Sequence, residues 1–196
     1  MDNKGISKKT IILIAVISAV LLLVVLVLFK VFLKNNNSVV EKDGGTVVMS
    51  YTNENHTFYL FSNKSISNDD GMKLAKKSEY FDFSVNCKLE DSSSLDYEIV
   101  LESKEKTSLI SKLNVYLEIE NSGTYVKVFE PVHFEAIKTK SEYGAPVGSM
   151  VLSTVHKDKD SIDNYRLRVW VDESETITEA EAEKIALEIN LYAKSA

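Results

Sequence analysis

The chain has little of what chemistry needs. One cysteine, Cys87, in 196 residues excludes an intramolecular disulfide. Small secreted eukaryotic domains usually rely on such staples, so the composition points away from that class. Two prolines and seven glycines leave little raw material for phosphate-cradling loops. The three histidines, His56, His133 and His156, form no H-E-x-x-H, and no two share helix or strand ligand spacing. A zinc hydrolase takes about three protein ligands and an open position. Only the fold could bring these three together, and they read instead as strand or loop histidines. Neither a G-x-S-x-G elbow nor an S-x-x-K motif occurs. No residue is assigned a catalytic, cofactor-binding or metal-binding role.

Arginine occurs only at Arg166 and Arg168, while lysine and asparagine are plentiful. That bias is the one expected of an A+T-rich bacterial genome and fits a Gram-positive source. The chain carries −6 overall; its first 34 residues hold five lysines and one aspartate, so the rest carries −10. Nucleic acid and anionic lipid require a basic face, and an acidic body of this size argues against both as partners.

What the chain does have is one long hydrophobic run, TIILIAVISAVLLLVVLVLFKVFL, from Thr10 to Leu33, with Lys30 near its end. Spanning a bilayer core takes about 20 apolar residues in a helix. Lys4, Lys8 and Lys9 precede the run, so the positive-inside rule places the N-terminus in the cytoplasm. A cleaved secretory signal would have a shorter apolar core of about 7–15 residues and small residues at its exit. Here Lys34 and three asparagines follow instead. A prepilin leader at Lys4-Gly5 lacks the early glutamate of mature pilins. The expected organisation is a cytoplasmic tail at 1–9, a single transmembrane helix at 10–33, a linker at 34–44 and one extracytoplasmic domain at 45–196.

That domain alternates with period 2, the pattern of half-buried antiparallel strands. Phe81, Phe83, Val85 and Cys87 alternate with Asp82, Ser84 and Asn86. The same pattern runs through Tyr97–Glu102, Leu113–Ile119, Arg166–Val171 and Ile185–Tyr192. Further strands are expected at Thr46–Tyr51, Thr57–Phe61, Tyr125–Phe129, Val132–Ile137 and Ser149–His156. Polar turn segments separate them, among them Ser62–Gly71 and Lys157–Asp163. Thr178 and Glu181 have capping-box spacing and predict one or two helical turns before the last strand. The sum is an all-β fold, an antiparallel β-sandwich of immunoglobulin-like or jelly-roll type following the transmembrane helix.

Three strand motifs carry a family likeness. Tyr80, Phe81, Phe83, Val85 and Asn86 form the first, Tyr97, Ile99 and Leu101 the second. Tyr165, Leu167, Arg168, Trp170 and Asp172 form the third. In this order, over residues 78–194, the chain resembles Gram-positive surface proteins related to camelysin and the biofilm-matrix fibre proteins. The resemblance implies a membrane-associated β-sandwich displayed on the cell surface. That group usually has a cleavable signal, from which this chain departs.

Remaining candidates are weighed by their surroundings. Cys87 shares a face with Phe81, Phe83 and Val85 and reads as a buried thiol. Asn68-Asp69-Asp70-Gly71 could offer oxygens to calcium, but Ile66 and Lys77 fail the first and last EF-hand positions, so a turn is expected. The candidate interaction face is Arg166, Arg168 and Trp170, at alternate positions of one strand. With Leu167, Val169 and Val171 inward, the three would form an aromatic–guanidinium platform suited to a protein partner. Two other arrangements stay open: Trp170 as the core residue with Val169 outward, or the same face covered by another segment. The expected function is a membrane-anchored, non-enzymatic surface module making protein contacts or self-associating. The alternatives are a camelysin-like envelope hydrolase and a ligand-binding accessory subunit of a membrane complex.

Overall fold

An apolar stripe on one side of an extended strand cannot remain in water at no cost, and a second sheet is the usual cover. The computed structural model describes residues 37–42, 44–52, 56–90, 93–105 and 107–195. The expected membrane run at 10–33 lies outside the described residues. No helix among the described residues is long and apolar enough to cross a membrane.

The strands form two sheets. The larger has the order β1 (Asn37–Lys42), β2 (Gly45–Tyr51), β5 (Phe81–Leu89), β11 (Ser161–Asp172), β7 (Leu113–Asn121) and β8 (Thr124–Lys127). Two short strands extend it: β4 (Ser65–Ile66) beside the end of β11 and β9 (Val132–His133) beside the start of β7. The smaller sheet has the order β10 (Met150–Lys157), β6 (Leu95–Ser103), β12 (Ala186–Ser195) and β3 (Thr57–Tyr59). Every pairing is antiparallel except β4 with β11. The chain from Asn37 on is thus all-β, with its core between two facing sheets.

The alternating residues fill that core. Val47 and Met49 of β2, Phe83 and Val85 of β5 and Leu117 of β7 are buried from one side. Tyr97, Ile99 and Leu101 of β6 and Leu187 and Ile189 of β12 meet them from the other. Each such side chain contributes about 1.5–3 kcal/mol, which lets the body stand without cross-links. Phe83 stacks on Tyr165 with ring centroids 5.2 Å apart. Tyr51 of β2 donates its hydroxyl to the Ile189 carbonyl of β12 at 2.7 Å, joining the layers. Cys87 is fully buried on the same inner face, and burial pushes its thiol up.

Several boundaries differ from the sequence expectation. β1 lies inside the stretch expected as a linker and pairs with β2 from Gly45 to Ser50. The strand expected at 132–137 stops at His133, because Phe134 turns into the core. From there the chain makes a long excursion to Ser149 over the outer face of the smaller sheet. Ser141 Oγ donates to Glu98 at 2.6 Å, and Ala145 is fully buried. Glu98 and Val100, which point outward from β6, are therefore buried as well. The helical turn is present at Glu179–Ala182, with the complete Thr178/Glu181 capping box.

Candidate functional site

β11 is the longest strand, and its alternation sorts its side chains as expected. Leu167, Val169 and Val171 are buried against the core. Arg166, Arg168 and Trp170 stand on the opposite, outer face. They do not form an open platform: Trp170 is 1% exposed and Arg168 7%. The cover is a strap, the chain from Leu60 to Tyr80 that joins β3 to β5.

Sequence chemistry explains how the strap lies so close. Ser67 caps the single helical turn Asn68–Gly71 by accepting the Asp70 N–H. This turn sets Gly71 flat on the indole. A Cβ built there would fall 2.2 Å from Trp170 Cε2, so no side chain fits. Further along, Arg168 donates its Nε to the Leu74 carbonyl at 2.7 Å and pairs with Glu118. Asn114 of β7 donates to Asn68 at 2.9 Å and to Asp172 at 2.6 Å. Hydrogen bonds from the Ser174 hydroxyl and amide hold Asp172 below the usual carboxylate range.

Arg166 closes the far end of the strap. Its fork donates to both oxygens of Asp82, at 2.7 and 2.9 Å. Its guanidinium lies between the Tyr80 ring at 3.9 Å and the Tyr125 ring at 4.2 Å. The Asp82 bond raises its already high pKa further. Sequence reasoning missed both tyrosines, because each reaches β11 from a different segment.

The strap leaves a cavity of about 350 Å³ over Trp170. Phe61, Ile66 and Leu74 give it apolar walls, and Ser62, Lys64, Lys76 and Glu79 give it polar ones. The Trp170 indole N–H is buried and has no hydrogen-bond partner among the described residues. A buried donor left this way costs about 1–3 kcal/mol.

Among the described residues, no segment covers the other half of the same outer face. Cross-strand register places Val39, Val48, Asn86 and Ile162 in one row over β1, β2, β5 and β11. Ser50, Ser84 and Asn164 form the next row. Val39 is 45% exposed and Ile162 68%. Neither row carries a charge in a body of net −10.

The histidines stand apart. His56 pairs with Glu188 at 3.1 Å beside β3, at one edge of the smaller sheet. His156 meets Asp96 at 2.6 Å on β10, at its opposite edge. His133 lies on β9 of the larger sheet. Among the described residues, no three of His, Cys, Asp or Glu are placed to hold a metal ion. No family model matches the chain, and no curated protein matches it.

Proposed function

We propose that the protein is a membrane-anchored, non-enzymatic surface module. Residues 10–33 hold it in the bilayer, with residues 1–9 cytoplasmic and the domain outside as an immunoglobulin-like or jelly-roll sandwich. Its work is protein contact, including contact with further copies of itself. The resemblance to camelysin-related surface proteins supports the same placement. The observation that carries the contact role is the uncharged row Val39, Val48, Asn86, Ile162 on an otherwise acidic body. Two bodies of net −10 repel, and an uncharged strip is where another protein can approach most closely.

Placement and contact are tested separately. Cys87 is the sole cysteine and is buried, so introduced cysteines label against a quiet background. In intact cells, Lys159→Cys should react with a membrane-impermeant maleimide and Ser7→Cys should not. The opposite pattern overturns the orientation. For contact, the full chain in detergent is followed by sedimentation velocity as salt rises from about 50 to about 500 mM. Screening should strengthen self-association, and Ile162→Lys should abolish it. A monomer at all salt concentrations leaves contact with a different protein as the form the role must take.

A further inference from the structure

The cavity over Trp170 has a composition that the surface-module role does not use. Four of its eight lining residues are apolar: Phe61, Ile66, Leu74 and Trp170. A sugar-like ligand would bring many hydroxyls, and too few free polar groups are present to pair with them. The charges are more selective. Glu79 is already engaged, accepting the N–H groups of Ala75 and Lys76 and facing the Lys76 ammonium at 3.5 Å. The ammonium of Lys64 has no partner among the described residues, its backbone N–H alone bonding to Ser62. Two lysines and one glutamate leave the cavity at +1 in a body of −10. The Trp170 ring forms the inner wall.

We infer that this cavity binds a small apolar monocarboxylate. The apolar body lies against Phe61, Ile66, Leu74 and the Trp170 ring, and the carboxylate accepts from the free Lys64 ammonium. A single negative charge matches the single net positive charge of the lining. The same chemistry is offered by a free carboxylic acid and by the C-terminus of a peptide ending in an apolar residue.

Trp170 is the only tryptophan of the chain, so its emission reports on this cavity directly. The full-length protein in a non-ionic detergent is titrated with N-acetyl-leucine, its neutral amide and acetate. N-acetyl-leucine should give a saturable change in emission. The amide should bind about tenfold more weakly or worse, because it lacks the charge that a lysine recognises. Lys64→Glu should cause a similar loss while leaving the unliganded emission and the melting temperature unchanged. A peptide ending in leucine that binds more tightly than N-acetyl-leucine assigns the peptide source; equal binding assigns the free acid. An unsaturable titration overturns the proposal. So does an amide as tight as the acid, or acetate as tight as N-acetyl-leucine.

Discussion

Ile162 and Trp170 share a strand, a face and a parity, yet one is 68% exposed and the other 1%. The seven residues between them mark the border between two halves of one sheet surface. On the Ile162 side, β1, β2 and β5 present the uncharged Val39, Val48, Ser50, Ser84 and Asn86, and among the described residues no segment lies over them. On the Trp170 side, the strap from Leu60 to Tyr80 brings Gly71, Leu74 and Tyr80 down onto β11. Strand geometry alone decides which face a residue takes. Whether that face meets water is decided by chain that is distant in sequence. The covered half works as a third thin layer, and the open half is the surface proposed for contact.

Truncating each half should separate them most sharply. Trp170→Ala removes a fully buried indole and the floor of the strap, and should cost about 3–5 kcal/mol. Ile162→Ala on the open half should stay within about 0.5 kcal/mol. Urea unfolding of both variants measures the difference, and comparable losses would mean that the strap contributes nothing. Next comes Gly71→Ala, which leaves the strand untouched. Its new Cβ would meet the indole at 2.2 Å, so the strap must lift. Overpacking of this kind costs about 1–3 kcal/mol. The same variant should also shift Trp170 emission to longer wavelength, as water reaches the ring.

The contrast also separates what the residues disclosed from what they did not. Alternation in YFDFSVNC and in YRLRVWVD placed Phe83, Val85, Leu167 and Val169 inward, and the core contains them. The capping box at Thr178 was legible because it is local. The cover over Arg168 and Trp170 was not. It depends on a turn, Ser62–Gly71, whose polar residues read as a surface loop, and on pairings such as Asn68 with Asn114 across 46 residues. Gly71 was the one available signal, since a glycine directly after two aspartates also suits an ordinary turn. β1 escaped notice for a similar reason. NSVVEK has only two apolar residues, and its strand character comes from the β2 edge beside it.

Arg166 lies near the border, and its loss should be intermediate. Arg166→Lys keeps the charge but loses the two-pronged bond to Asp82 and the position between two rings. Both partners of the ion pair are about four-fifths buried, so screening is partial. The expected cost is about 1 kcal/mol. A double-mutant cycle with Tyr80→Leu should return a coupling of about 0.5–1 kcal/mol for the ring contact. Zero coupling would show that Tyr80 only happens to lie near the guanidinium, and that Asp82 alone holds it.

The smallest effect concerns acid. Ser174 donates twice to Asp172, from its hydroxyl at 2.5 Å and its amide at 2.9 Å, and the folded carboxyl titrates below its unfolded value. A group depressed in this way adds stability above its unfolded pKa and loses it as pH falls through the folded one. Ser174→Ala removes the hydroxyl bond and brings the folded pKa back toward the ordinary range. The variant should therefore be less stable than wild type at about pH 7, with the gap closing by about pH 2. Ile162→Ala, on the open half, touches no titrating pair and should show a pH-independent difference. If the Ser174→Ala gap were instead constant with pH, the hydroxyl would be serving the turn after β11 rather than the Asp172 charge. Asp172 would then support the Asn114 bridge beneath the strap through geometry alone.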